Sequence, residues 1–237
     1  MSGRRIYINL RYKLSQILNP ALCLTCGIPV SADSFICKYC VAALELVPTP
    51  CSSCGLPNQT SRNTCPVCQH RPPRWHSMIA PLIYSANTRK IIQDLKFNEQ
   101  LNNANALLTH ILDYYRDHQV DVLIPVPLHT SRLLERGYNQ AEEIATTLSR
   151  LLDIPVDRKS LKRIKATESQ SGLSISKRHK NILKAFQFSP ARCYKSAAII
   201  DDIVTTGSTV SEISKVLKRS GIKHIEVWSL ARALKHD

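Results

Sequence analysis

Near the carboxyl end of the chain, two adjacent carboxylates are followed closely by a short loop of hydroxyl residues, in the stretch IIDDIVTTGST. Asp201 and Asp202 come after an apolar run that predicts a β-strand, and the loop leads into a pattern that predicts a helix. The loop residues are Thr205, Thr206, Gly207, Ser208 and Thr209. Unpaired N–H groups at a helix N-terminus, with the positive end of the helix dipole, suit a phosphate.

The two carboxylates cannot hold the same phosphate, because they carry the same sign of charge. They fit neighbouring hydroxyl groups, such as the 2′ and 3′ hydroxyls of a ribose, or a hydrated Mg²⁺. A ribose that carries a 5′-phosphate therefore satisfies both halves of the motif. The alternative is a simple capped turn, since Asp-Asp and Thr-Gly-Ser are also ordinary turn compositions. The order strand, carboxylates, hydroxyl loop and helix favours a ligand site.

Eight cysteines in the first third of the chain form two equal units, each with the spacing CxxC, ten residues, CxxC. The second unit repeats the first 28 positions later. The first unit is Cys23, Cys26, Cys37 and Cys40, and the second is Cys51, Cys54, Cys65 and Cys68. Each unit supplies the four thiolates that a tetrahedral Zn²⁺ requires. Because four ligands leave no open coordination position, we predict two structural zinc sites.

Two other uses of these cysteines fit the sequence less well. A disulfide framework is typical of secreted proteins, and we expect residues 1–20 to form a basic amphipathic helix rather than a signal peptide. A redox-active CxxC pair would need a thioredoxin-like βαβ unit, whereas this region is rich in proline and loops. The spacing alone leaves open whether the two knuckles of a site come from one repeat or from both, and closure within one repeat is the simpler prediction.

The charge and hydropathy patterns place the chain among phosphate-binding proteins without a membrane span. The 32 Lys and Arg residues exceed the 18 Asp and Glu residues, which gives a formal charge of +14 and attracts phosphates of any origin. Residues 1–20 predict a basic amphipathic helix. No segment reaches the ~18 consecutive apolar residues of a membrane-spanning helix. We therefore expect a soluble, cytoplasmic protein.

The proline-marked stretch HRPPRWHSM predicts a domain boundary near residue 75. Residues 1–75 would form the N-terminal helix and a double zinc ribbon, and residues 76–237 would form an α/β domain. In the second part, apolar strands alternate with amphipathic helices; the strands are DVLIPVP, SAAIID and IKHIEVWSLA, and the helices between them are NQAEEIATTLSRLLD and GSTVSEISKVLKRSG. This alternation predicts a parallel sheet with right-handed crossovers, whose ligands lie at the carboxyl ends of the strands.

Several motifs together resemble one family. The stretch IIDDIVTTGST resembles the phosphoribosyl diphosphate (PRPP) motif of type I phosphoribosyltransferases. Behind a cysteine-rich amino terminus, it is joined by IPVPLHTSRLLERGYNQAEEIA, TESQSGLSISKRHKNILKAF and VWSLARAL. In this combination the chain resembles the ComF/GntX family of competence-associated, phosphoribosyltransferase-like proteins over nearly its whole length.

The resemblance implies a type I phosphoribosyltransferase-like fold and a role for each matching residue. Asp201 and Asp202 would hold the ribose hydroxyls and Mg²⁺, and residues 205–209 would bind the 5′-phosphate. The diphosphate side would consist of Val126, Pro127, Arg132 and Arg136. A flexible lid would include Thr167, Gln170, Ser171, Arg178 and Asn181.

The resemblance leaves three functional hypotheses. The first is a PRPP- and Mg²⁺-dependent transferase that acts on an unknown acceptor during the handling of imported single-stranded DNA. The second is a non-catalytic adaptor that binds PRPP or DNA in the same uptake pathway. The third is a nucleobase salvage enzyme, which the paired cysteine repeats disfavour. The partners would be PRPP, single-stranded DNA, and competence proteins such as a helicase or DNA-processing factors.

Overall fold

A computed structural model describes residues 21–23, 25–31, 36–97, 102–165 and 182–234. Its strands are β1 (Ala21–Leu22), β2 (Pro29–Val30), β3 (Ser77–Ile79), β4 (Leu82–Ile83), β5 (Leu123–Pro125), β6 (Leu161–Arg163), β7 (Phe186–Phe188), β8 (Ser196–Val204) and β9 (His224–Arg232). Its helices are α1 (Lys38–Ala42), α2 (Pro66–His70), α3 (Ala86–Phe97), α4 (Asn102–Ile111), α5 (Asp113–Arg116), α6 (Thr130–Arg136), α7 (Gln140–Leu152) and α8 (Ser208–Arg219). The predicted N-terminal helix, residues 1–20, lies outside the described residues.

The centre of the molecule is a five-stranded sheet in the order β3-β9-β8-β5, with β4 also paired to β9. All of these pairs are parallel. Parallel strands covered on both faces read as continuous apolar runs, and residues 197–200 of β8 are all fully buried. The predicted α/β class with a central parallel sheet is therefore confirmed.

Helices α7 and α8 begin at the edge of the sheet where β5 and β8 end. Asn139 caps α7, because its side chain accepts a hydrogen bond from the Ala141 N–H at 3.2 Å. Helix α8 follows β8 after a three-residue turn and buries Val210, Ile213 and Leu217 in the core. The N-termini of two helices thus meet at the carboxyl ends of two neighbouring strands.

The sequence reading differs from the structure in two places. The strand predicted as SAAIID continues to Val204, because β9 pairs with it as far as the partners Val204 and Arg232. The second difference is the antiparallel pair β6–β7, which the sequence analysis did not predict. Strands of three residues carry too little periodicity to be recognised from sequence.

The cysteine-rich segment packs directly on the sheet. Cys23, Ile36 and Cys37 share one hydrophobic cluster with Leu82 and Trp228. Hydrogen bonds also cross the predicted domain boundary at residue 75. The position of this boundary remains a prediction. None of the helices in the described ranges has the length of apolar surface that a bilayer crossing requires.

Candidate phosphate and zinc sites

A cleft of about 220 Å³ opens at the carboxyl ends of β5 and β8. Among the residues predicted to act on a ligand, the cleft is lined by Val126, Pro127, Asp201, Asp202, Thr205, Thr206, Gly207, Ser208 and Thr209. It therefore brings together the carboxylates, the hydroxyl loop and the turn after β5, which lie about 80 residues apart in the sequence. Their separate roles remain predictions.

Asp201 and Asp202 lie on β8 itself rather than after its end. Each carboxylate accepts a hydrogen bond from the next backbone N–H: Asp201 Oδ1 from Asp202 at 3.0 Å, and Asp202 Oδ1 from Ile203 at 2.8 Å. These bonds orient both side chains, and both are partly exposed at the cleft. A carboxylate has about four lone-pair sites, so it can accept further donors such as sugar hydroxyls.

The hydroxyl loop turns the chain from β8 into α8. Gly207 has φ +76°, the left-handed region that favours glycine. Thr206 Oγ1 and Ser208 Oγ share a hydrogen bond of 2.8 Å, and the Ser208 N–H donates to Thr206 Oγ1 at 3.3 Å. The first turn of α8 contains no acidic residue. The positive end of the helix dipole therefore faces the cleft, and no acidic side chain in the first turn of α8 neutralises it.

The structure adds residues to the cleft that the sequence analysis did not assign to it: Asn139, Gln140, Ala141 and Arg163. Asn139 joins two walls, because its Nδ2 donates to the Val126 carbonyl at 3.1 Å while its Oδ1 caps α7. Gln140 is only 8% exposed, and its Nε2 has no hydrogen-bond partner among the described residues. Asn139 and Gln140 both belong to the motif RGYNQ. This motif could have indicated their place in the cleft, but the sequence analysis used it only to identify the family resemblance.

Arg163, at the end of β6, places a cation at the cleft, with its guanidinium carbon 5.8 Å from the centroid of the Phe186 ring. Arg132 and Arg136 lie on helix α6, which starts five residues after β5. The side chains of these two arginines lie outside the described part of the chain. The predicted lid residues also lie outside the described residues; they are Thr167, Gln170, Ser171, Arg178 and Asn181.

The eight cysteines form two clusters, and each cluster comes from one repeat. All sulfur atoms within a cluster lie within 4.8 Å of one another. Tetrahedral zinc with Zn–S bonds of about 2.3 Å requires sulfur–sulfur separations of about 3.8 Å. The observed separations are 3.7 Å between Cys26 and Cys37 and 3.9 Å between Cys54 and Cys65. The cysteines are free thiols, and closure within each repeat is confirmed.

Backbone N–H groups point at the sulfur atoms, as expected where thiolates bind metal. Cys37 N donates to Cys23 Sγ at 3.3 Å, and Cys65 N donates to Cys51 Sγ at 3.2 Å in the second repeat. Burial raises the pKa of the Cys51 thiol, but backbone hydrogen bonds, that of Cys65 first among them, outweigh burial and lower the pKa to about 7. The same balance lowers the pKa of Cys23 to about 6. These donors stabilise the thiolate form that binds zinc.

Comparison with known proteins connects both sites to one family. Residues 14–71 match the model of the double zinc ribbon domain. The chain is 39% identical to Competence protein F of Haemophilus influenzae over 179 residues, which cover 71% of this chain and 78% of that protein. It is 34% identical to DNA utilization protein YhgH of Escherichia coli O157:H7 over 223 residues, which cover 91% of this chain and 98% of that protein. The chain belongs to the ComF/GntX family.

This ComF/GntX protein was also compared with solved structures. A purine phosphoribosyltransferase from Pyrococcus horikoshii Ot3 matches 53% of this chain and 79% of its own, with 18% identity and a TM-score of 0.33. A similarity at this level supports no conclusion about activity. The family assignment therefore depends on the sequence relatives, and the two cysteine clusters are the zinc-binding sites of the double ribbon.

Proposed function

We propose that this ComF/GntX protein binds PRPP with Mg²⁺ and transfers its phosphoribosyl group to an acceptor during the handling of imported single-stranded DNA in the cytoplasm. The observation that carries the proposal is the cleft that joins two carboxylates on β8 to the N-terminus of α8. A sugar phosphate presents both vicinal hydroxyls and an anion, so it matches the carboxylates and the helix N-terminus together. The nature of the acceptor is left open.

Each half of the substrate has a matching partner in the cleft. The N–H and hydroxyl groups of residues 205–209 would hold the 5′-phosphate, while Asp201 and Asp202 would accept hydrogen bonds from the ribose hydroxyls. Residues 126 and 127 would place the diphosphate beside α6, where Arg132 and Arg136 supply positive charge for it. The basic lid segment, with Thr167, Gln170, Ser171, Arg178 and Asn181, would close over the bound substrate.

In the proposed reaction, the bond from the anomeric carbon to the diphosphate breaks, and the diphosphate leaves with the bonding electrons. The acceptor, a nitrogen nucleophile in the transferases that the motif resembles, forms the new bond from the opposite face of the ring and gives up its proton to solvent. Because positive charge develops on the ribose, the nearby carboxylates Asp201 and Asp202 favour the transition state as well as orienting the sugar. Mg²⁺, held by these carboxylates and the substrate, would neutralise charge on the departing diphosphate.

The cellular context comes from the relatives and the charge. Two proteins with names that denote competence and DNA utilization share most of the length of this chain. A formal charge of +14 favours contact with a polyanion such as single-stranded DNA. We therefore propose single-stranded DNA and competence proteins, such as a helicase or DNA-processing factors, as partners.

One observation favours a non-catalytic adaptor as the second candidate. Among the described residues that line the cleft, the titratable ones are Asp201, Asp202 and Arg163. If both carboxylates are engaged with ribose, these residues offer no other base to take a proton from an acceptor. An adaptor would bind PRPP or DNA in the same cleft without turnover.

Diphosphate release from PRPP and Mg²⁺ separates the two candidates. The acceptors would be a panel of nucleobases and single-stranded oligonucleotides, and PRPP binding would be measured in parallel by calorimetry. Release with one acceptor supports the transferase. Binding without release from any acceptor supports the adaptor, and the absence of PRPP binding would refute the PRPP site in both.

A further inference from the structure

Three consecutive carbonyl groups in the first knuckle of the second zinc ribbon accept hydrogen bonds from residues at or beyond the predicted domain boundary. The Ser52 carbonyl accepts from the Met78 N–H at 2.8 Å. The Ser53 carbonyl accepts from Trp75 Nε1 at 2.6 Å, and the Cys54 carbonyl accepts from Arg232 Nε at 2.8 Å. Two of these three donors are side chains that also contact the hydroxyl loop, residues 205–209, which is called the phosphate loop below.

Arg232 connects the knuckle to the start of the loop. It lies at the end of β9 and is 6% exposed. While its Nε bonds the Cys54 carbonyl, its Nη1 donates to the Val204 carbonyl at 2.9 Å and to the Thr205 carbonyl. One planar guanidinium therefore joins a zinc-binding knuckle to the two peptide groups that begin the phosphate loop.

The Val204 carbonyl also accepts from the Ala233 N–H at 3.0 Å, and together with the bonds from Arg232 this fixes the direction in which the loop amides point. All peptide bonds in the described residues are trans, so the N–H of one residue points away from the carbonyl before it. Holding the carbonyls of Val204 and Thr205 against Arg232 directs the N–H groups of Thr205 and Thr206 to the opposite side. The cleft is lined by Thr205 and Thr206, and Arg232 is absent from the described residues that line it.

Trp75 makes the second connection. Its indole N–H bonds the knuckle at Ser53, and the far edge of its ring lies against Gly207 in the loop. A Cβ added to Gly207 would come within 3.1 Å of Trp75 Cη2. The ring therefore limits how far the loop can move toward the ribbon.

The first zinc ribbon makes a different contact. Cys23, Ile36 and Cys37 lie in the apolar cluster around Leu82, and no hydrogen bond joins the described part of this ribbon to residues 205–208. The two zinc sites have the same four-cysteine ligand set, but the second ribbon is bonded to side chains that contact the loop and the described part of the first is not. The first ribbon therefore serves as an internal control for the second.

We propose that Arg232 and Trp75 are positioning residues through which the second zinc ribbon holds the phosphate loop in its anion-binding conformation. The inference rests on the proposed function, since it assigns the loop to a 5′-phosphate. Zinc bound in the second ribbon fixes the conformation of the knuckle. The knuckle carbonyls accept hydrogen bonds from Arg232 and Trp75, and these two side chains restrain the loop. Loss of zinc from the second ribbon then loosens the phosphate site, whereas loss from the first does not.

The ligand test uses the full chain with two probes, ribose 5-phosphate and Mg²⁺-diphosphate, measured by calorimetry. Arg232→Lys keeps the charge but lacks the fork that reaches four carbonyls, those of Cys54, Val204, Thr205 and Ala233, and Trp75→Phe removes both the N–H bond and the ring edge. We expect each variant to lose about tenfold in affinity for ribose 5-phosphate. Affinity for Mg²⁺-diphosphate, which does not need the loop, stays unchanged.

Trp228→Phe is the matched control for Trp75→Phe. Trp228 is fully buried in the middle of β9, where it pairs with Ile200, and its indole N–H bonds Glu226 at 2.7 Å rather than a zinc knuckle. The control loses an indole bond and core packing but should keep its ribose 5-phosphate affinity. Equal losses in both tryptophan variants, or equal losses for both probes, would mean general destabilisation and would overturn the inference.

Hydrogen exchange of peptides that span residues 204–212 tests the connection without any ligand. We expect faster exchange there in Cys54→Ser, which damages the second ribbon, than in Cys26→Ser, which damages the first. Equal exchange in the two variants refutes the positioning role. If the wild type binds neither probe, the proposed function fails, and the exchange experiment still decides whether the second ribbon holds the loop.

Discussion

Replacing Gly207 with alanine tests the geometry of the hydroxyl loop, residues 205–209, at one atom. The residue has φ +76°, where a side chain costs about 1–2 kcal/mol in conformational energy. The new methyl group would also lie 3.1 Å from Trp75 Cη2, closer than ordinary contact. The indole cannot retreat easily, because its N–H is bonded to the Ser53 carbonyl at 2.6 Å. Overpacking of this kind adds about 1–3 kcal/mol.

Gly221→Ala separates the two contributions. Gly221 also has a positive φ, +95°, but an added Cβ there meets nothing within 4 Å. The entropy that alanine removes from the unfolded chain is the same at both positions and cancels in the comparison. We therefore expect Gly207→Ala to lower the free energy of unfolding by about 2–5 kcal/mol and Gly221→Ala by about 1–2 kcal/mol.

Urea unfolding of the two variants, followed by circular dichroism, measures these differences. Combining Gly207→Ala with Trp75→Phe removes the ring edge and should recover about 1 kcal/mol, a coupling expected for residues in contact. Ribose 5-phosphate affinity should fall in Gly207→Ala and not in Gly221→Ala. Equal destabilisation by the two alanines, with no recovery in the double variant, would refute the contact between loop and indole.

Three further outcomes are expected. The double variant Asp201→Asn and Asp202→Asn should weaken PRPP binding by about 100-fold or more, because two charged acceptors are lost. If the double variant keeps its zinc and calorimetry finds its PRPP affinity unchanged, these residues are not part of the PRPP site. Metal analysis should find one zinc ion for each of the two cysteine clusters, and a value of one or none per chain contradicts the double ribbon. If single-stranded DNA binds, the logarithm of its association constant should fall with the logarithm of the salt concentration, with a slope of about −0.7 per phosphate contacted. An affinity that does not change with salt, measured by fluorescence anisotropy, would exclude a role for the Lys and Arg side chains in DNA binding.

Local patterns were enough to predict the zinc ligands and the loop. The cysteine spacing specifies two knuckles per repeat, and knuckle geometry depends only on a few neighbouring residues. The strand, carboxylates, loop and helix around Asp201 follow one another without interruption in the sequence. Parallel pairing was also predictable, since the apolar runs alternate with amphipathic helices.

Contacts between distant segments were decided only by the tertiary structure. Asn139 and Gln140 reach the cleft because α7 begins beside the turn after β5, and no local pattern marks that neighbour. Strand β8 extends past Asp202 because β9 continues to pair with it. These features depend on strand register, which is set by the packing of the whole sheet.

The connection between Arg232, Trp75 and the second zinc ribbon is the clearest example. Arg232 appears in the sequence only as part of the closing motif VWSLARAL, 178 positions from Cys54. Its hydrogen bonds exist because β9 ends beside β8 and the ribbon packs across that end of the sheet. The zinc ligands and the residues of the hydroxyl loop were therefore predictable from the sequence, whereas the link between the second zinc ribbon and this loop arises from long-range pairing that brings their backbones together.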